Sequence, residues 1–161
     1  MNILVVIPAR GGSKGIPRKN LRFLDGKPLL FYSINNALSS KYKSDIYVSS
    51  EDDEILDLAK KLNVNIHKRD ITIAKDSTTL DPVIYDCYTY AKKNESKQYD
   101  LIVTMQPTSP LLDSKSLDLA IDKIINDNKI DTIIAATDST HLSWKKKDAV
   151  FLPNYKQQLH Q

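Results

Sequence analysis

Two kinds of apolar pattern alternate along the chain. ILVVI at 3–7 is a continuous aliphatic run, as expected of a strand covered on both faces. Leu30, Ile34, Ala37 and Leu38 share one face of a helix predicted over 28–39, and DIYVSS at 45–50 reads as a short strand. Ile55, Leu58, Ala59 and Leu62 form an i, i+3, i+4, i+7 stripe. A short strand at 64–67 precedes an irregular stretch to about Ser77. The strongest helical stripe follows, with Leu80, Val83, Ile84, Cys87, Tyr88 and Ala91. DLIVTM at 100–105 predicts a strand, Leu117, Ile121, Ile124 and Ile125 a helix, and IDTIIAA at 130–136 a last strand. This order predicts an α/β domain of three layers. Its mainly parallel sheet, with helices on both faces, includes strands at 3–7, 45–49, 101–105 and 131–136. After Thr137 the periodicity decays, and SWKKKDAVFLPNYKQQLHQ holds no long periodic element.

Composition narrows the class. A chain of 161 residues with 41% hydrophobic and 27% charged residues has the size and make-up of one globular domain with a real core. A net charge of +3 gives no case for nucleic acid. Cys87 is the only cysteine, which excludes an intramolecular disulfide and a cysteine-rich zinc site. The stretch from Ile3 to Ile7 is too short and wrongly flanked for a signal peptide, and no run approaches membrane-spanning length. The expectation is a soluble cytoplasmic protein.

The charge that exists gathers in one place. PARGGSKGIPRKN at 8–20 leaves the first strand at its carboxyl end, where ligands bind in parallel α/β sheets. Gly11 and Gly12 would let backbone amides approach an anion, Arg10 offers a planar fork, and Lys14 and Lys19 offer point charges. The loop matches neither G-x-x-x-x-G-K-[ST] nor G-x-G-x-x-G. By spacing alone, a polyphosphate cradle and a basic surface turn both stay open.

The full string carries more than its spacing. PARGGSKGIPRKN, LDGKPLLFYSI (24–34), VSSEDDEI (48–55), RDITIAKDST (69–78) and LIVTMQPTSPLL (101–112) together resemble the CMP-sialic acid synthetases, or acylneuraminate cytidylyltransferases, over residues 3 to about 125. The resemblance implies a nucleotide-diphospho-sugar-transferase-like, Rossmann-like fold. It also implies transfer of CMP from CTP to the anomeric hydroxyl of a nine-carbon ulosonic acid, with release of pyrophosphate and Mg²⁺ assistance.

Carried over by motif, Ala9, Arg10, Ser13, Lys14 and Lys19 belong to the CTP-phosphate site, with Arg10, Lys14 and Lys19 in the catalytic role. Shielding the α-phosphorus and gripping the leaving pyrophosphate is the chemistry such donors serve. Asn20 falls on an asparagine near nucleotide and acceptor sugar, or serves as a turn residue. Arg69 opens a block resembling R-P-x-x-L-A-x-D-[TS], with Asp70 in place of proline and Ile73 in place of leucine. It implies that Arg69 and Ser77 hold cytosine, while Asp76 and Ser77 also suit a helix start. Gln106 suits sugar hydroxyls between two rigid prolines, Pro107 and Pro110. Thr108 and Ser109 fit a turn as well as a contact.

Glu51, Asp52, Asp53 and Glu54 resemble a metal cluster at first sight, but they stand where acids favour a helix start, and capping is the preferred reading. No metal ligand is assigned. His67, His141 and His160 show no ligand spacing, and no Ser-His-Asp arrangement is legible. Lys145 to Lys147 read as a solvated face, or as a contact to a partner subunit's sugar.

The resemblance also implies a continuation with a [RK]-Q-x-L-P segment, a dimer-forming excursion, an N-G-A-x-Y strand and a late pair of Mg²⁺-binding aspartates. FLPNYKQQLHQ at 151–161, with Lys156 and Gln157 near the R-Q, resembles its start. The expectation is therefore a nucleotide-binding α/β domain at 1–137, a C-terminally incomplete dimerisation segment at 138–161, homo-oligomerisation, and little or no transferase activity of 1–161 alone. Two other readings stand beside it: a non-catalytic CTP-binding module, and a 3-deoxy-octulosonate cytidylyltransferase. The latter's first loop reads R-L-P-G-K, which this chain lacks.

Overall fold

A computed structural model describes residues 1–13, 15–75, 77–136, 144–148 and 150–153, with the backbone alone described at 144–146 and 151–153. Four parallel strands form the central sheet: β1 (Ile3–Pro8), β4 (Asp45–Ser50), β5 (Asn65–Lys68) and β6 (Leu101–Thr104). Their order is β5-β4-β1-β6, with Val5 opposite both Ile46 and Val103, and Ser50 opposite Lys68. The chain steps one way from β1 through β4 to β5, then crosses back to β6. The strand order therefore reverses between β1 and β6.

Both faces are covered, as the unbroken apolar run of β1 requires. Ile3, Val5 and Ile7 pack with Leu30, Ile34 and Ala37 of α1 (Leu29–Leu38), Ile55 and Ala59 of α2 (Asp53–Lys61), and Leu117 and Ile121 of α4 (Ser114–Asn126). The alternate residues, Leu4 and Val6, pack with Tyr47 of β4 and with Cys87 and Ala91 of α3 (Leu80–Asn94). Three helices thus lie on one face and α3 on the other, which makes the expected three layers. The predicted helical faces are rotated slightly: Leu38 and Ile125 point outward, while Leu56 is buried.

Three differences from the sequence reading have local causes. Residues 131–136 form no strand, and Ile134 is 83% exposed. Apolar content favours a strand only where a neighbour completes its ladder, and no described residue pairs with these. They run instead beside β6 and α4, with Ile133 and Ala135 facing Val103 and Ile124 across a groove. Second, a hairpin joins β2 (Phe23–Leu24) to β3 (Lys27–Pro28) through Asp25 and Gly26, both at positive φ (46° and 75°). The Asp-Gly pair is the local signal for such a turn. Third, the segment after Thr137 holds a second hairpin, β7 (Trp144–Lys147) with β8 (Val150–Pro153), turning at Asp148 (φ 56°).

Candidate functional site

The carboxyl ends of β1, β5 and β6 open into one cleft of about 350 Å³ at the point where the strand order reverses. Its first wall is the loop after β1, through Pro8, Arg10, Ser13, Lys19 and Asn20. The second is the connection from β5 to α3, through Arg69, Ile73 to Lys75, and Thr78 to Leu80. The third is Gln106, Pro107 and Thr108 after β6.

The basic loop is braced at several points. Ala9 continues the ladder by donating its N–H to the Ser49 carbonyl at 3.0 Å, and its side chain is buried in the core rather than on the cleft wall. The amide of Gly11 donates to Glu51 Oε1 at 2.7 Å, so it serves a carboxylate of the chain itself. Glycine is needed there for space: a Cβ would run into the Asp52 side chain, whereas Gly12 and Gly15 have open surroundings. Arg18 adopts a left-handed backbone (φ 56°), and its guanidinium pairs with Asp52 and with Glu54 (2.9 Å). Buried Asn20 donates to the Arg10 carbonyl at 2.9 Å within a 3-10 turn at Lys19–Leu21, so the turn role holds for it beside a place on the wall.

Arg69 is buried, with Nη2 at 2.8 Å and Nε at 3.2 Å from Glu51 Oε2. Burial resists ionisation of Glu51. The N–H groups of Glu51 itself, Arg69 and Gly11 prevail, and hold its carboxyl below the usual glutamate range. Asp52 is likewise depressed: burial opposes its charge, but Arg18 and the Ile55 and Glu54 amides outweigh it. Asp52 caps α2 by accepting from the Glu54 and Ile55 amides at 3.0 and 3.2 Å, in keeping with the capping reading of 51–54. The expected cap of α3 by Ser77 is absent. Thr79 occupies that position without a side-chain bond, and exposed Ser77 stays off the wall that Thr78 and Thr79 line. Lys14 and Asp76 lie outside the described residues.

The cleft is cationic. Arg10, Lys19, Arg69 and Lys75 line it, and no carboxylate does among the described residues. Arg69 is neutralised by Glu51, while neither Lys19 nor Lys75 makes an ion pair with a described residue. Lys75 and Glu51 were not singled out as nucleotide-site residues by motif reading. Register finds Glu51: Ser50 pairs with Lys68, so the next residues, Glu51 and Arg69, meet just past the ladder.

A polar chain that runs from the core to the surface also escaped the sequence. Ser49 Oγ lies 3.1 Å from His67 Nδ1, His67 Nε2 lies 3.4 Å from Asp86 Oδ2, and the ring packs on Tyr90 at 4.8 Å. Ser49 is fully buried and lines no cleft, so the arrangement ties β4 and β5 to α3 rather than presenting a nucleophile. Burial holds His67 below its usual pKa near 6.5. Asp86 pulls the other way, and Arg69 adds to the depression. A depressed histidine contributes stability that is complete above about pH 6.5 and declines as the pH falls below it, because the unfolded chain takes up the proton first. Thermal melts at about pH 7.5 and 5.5 should therefore show a loss on acidification that shrinks in His67→Gln, and equal losses would exclude His67 as the source.

A basic cleft at the switch point of a parallel, doubly covered sheet defines an α/β domain with its ligand site at the carboxyl ends of the strands. A family model described as cytidylyltransferase matches residues 4–159, and the chain belongs to that family. It is 37% identical over 139 residues to a pseudaminic acid cytidylyltransferase of Campylobacter jejuni, covering 86% of this chain and 59% of that one. It is 31% identical over 145 residues to N-acylneuraminate cytidylyltransferase A of Danio rerio, covering 90% of this chain and 32% of that one. These names agree with the resemblance to CMP-sialic acid synthetases. A CMP:2-keto-3-deoxy-manno-octonic acid synthetase complexed with CTP shares the fold, with a TM-score of 0.65 over 80% of this chain and 49% of that one at 17% identity. The chain spans between a third and three-fifths of the length of the two relatives.

Proposed function

We propose that this chain supplies the nucleotide-binding part of a cytidylyltransferase that moves CMP from CTP to a sialic-acid-like nine-carbon ulosonic acid. The observation that carries the proposal is the cleft lined by Arg10, Lys19, Arg69 and Lys75, with no carboxylate among its described lining residues, on the same loops that bear the family blocks. In the reaction, the acid's anomeric oxygen forms a bond to the α-phosphorus. The bond from that phosphorus to the bridging oxygen breaks, pyrophosphate leaves with the electron pair, and the hydroxyl proton is released. Arg10 and Lys19 bind the phosphates from the loop after β1 and grip harder as charge moves onto the leaving group. Lys75 faces the same ligand from the opposite wall. Gln106 takes the acceptor's hydroxyls, and Thr78 and Thr79, rather than Ser77, border the nucleoside.

No described residue is assigned to Mg²⁺. No three His, Cys, Asp or Glu side chains among them could hold a metal, and Glu51, Asp52 and Asp53 are paired with Arg69, Arg18 and Lys68. No step is derived through the ion. No helix among the described residues is long and apolar enough to cross a membrane. We also place it as a homo-oligomer, with β6, which has no further strand paired to it among the described residues and carries exposed Ile102, as the surface offered to a second copy.

Calorimetry with CTP, ATP and GTP tests the reading, and CTP should bind best. A charge-assisted contact is worth ~1.5–3 kcal/mol, so Lys19→Ala should raise the Kd for CTP ~10- to 100-fold. Unchanged affinity would remove Lys19 from the site, and failure of the unaltered chain to bind any cytidine nucleotide would end the proposal. Pyrophosphate release with a panel of ulosonic acids separates an enzyme from a module that only binds.

A further inference from the structure

One carboxylate joins two walls of the cleft. Glu51 Oε1 holds the backbone of the loop after β1 at Gly11 (2.7 Å), and Oε2 holds the Arg69 guanidinium at the root of the opposite wall (2.8 and 3.2 Å). The side chains of Glu51 and Arg69 are only 12% and 3% exposed, so little water competes for these bonds. Glu51 itself is not among the residues lining the cleft. Nothing else described joins the loop directly to Arg69: Asp52 braces Arg18 from the start of α2, and Asn20 braces Arg10 within the loop.

We infer that Glu51 is a positioning residue that sets the spacing between the phosphate-binding loop and the wall facing the nucleoside. The inference rests on the nucleotide-binding reading above. A ligand that spans both walls, with its phosphates on Arg10 and Lys19 and its nucleoside beside Thr78 and Thr79, depends on that spacing. A ligand that touches one wall does not. Glu51→Gln preserves shape but sets an amide N–H₂ against donors on one side. Glu51→Asp keeps the charge but is one methylene too short to reach both partners.

The test measures binding of three probes to the chain and to both variants: CTP, inorganic triphosphate and cytidine. Misplacing one wall costs a spanning ligand the simultaneous contact, so CTP should weaken ~10-fold or more in each variant. Triphosphate and cytidine should each stay within ~2-fold, because each contacts a single wall. Equal weakening of all three would mean that Glu51 only supports the fold locally, and unchanged CTP affinity would mean that it positions nothing. Either outcome overturns the inference, whereas absence of CTP binding by the unaltered chain would instead overturn the functional reading beneath it. Hydrogen exchange on the unaltered chain gives a check that needs no variant: the Gly11 amide should be protected although it lies in a loop. Rapid exchange there would also overturn the inference.

Discussion

Replacing Arg69 by methionine is expected to destabilise the fold by about 3–5 kcal/mol, because it strands a buried carboxylate. Both donors that Arg69 gives Glu51 disappear, and the N–H groups of Gly11 and of Glu51 itself carry no net charge to neutralise it. At this chain length each kcal/mol moves the melting temperature by roughly 2–4 °C, so a fall on the order of 10 °C should be seen. The deficit should depend on pH. With Arg69 present, Glu51 lies below its usual value, so its contribution is complete above about pH 4.5 and is lost as the pH falls through the lower folded value. Without Arg69, burial is opposed only by the N–H groups of Glu51 and Gly11, so the Glu51 pKa should rise relative to the unaltered chain. The variant should then recover part of its deficit between about pH 7 and 5, where a protonated Glu51 costs little. Urea melts at the two pH values check this, and a deficit independent of pH would show that lost packing, not the stranded charge, is responsible.

Ile34→Ala should cost ~2–5 kcal/mol, whereas Ile134→Ala should stay within about 0.5 kcal/mol. Ile34 is fully buried in the core cluster beneath β1, between elements that cannot close over the lost methyl and methylene groups. Ile134 belongs to an equally apolar stretch of sequence but is 83% exposed. Chemical denaturation of the two variants compares identical substitutions in opposite environments. Similar losses would show that 131–136 is buried as a strand after all.

The layered fold was legible because strand and helix patterns are local. ILVVI is apolar at every position because both faces of β1 are covered, and the stripe Ile55, Leu58, Ala59, Leu62 marks a helix resting on one side. The place of the cleft was legible for a related reason. Arg10, Arg69 and Gln106 closely follow strands, Lys19 and Asn20 lie further along the loop after β1, and parallel strands deliver such loops to one end of the sheet. The motif blocks added roles, but Ala9 and Ser77 do not stand on the wall.

Within this chain the sequence by itself determined the alternation of elements, their faces and the basic character of the loop after β1, since each depends on residues within a few positions of one another. Tertiary structure alone decided which charges cancel. Glu51 meets Gly11 from 40 positions away and Arg69 from 18, and Ser49, His67 and Asp86 meet only because β4, β5 and α3 pack together. It also decided that 131–136 is not a strand, because a strand is defined by its hydrogen-bonded neighbour as much as by its own residues. Local patterns state what a segment can bury; register and packing determine which polar groups come within bonding distance.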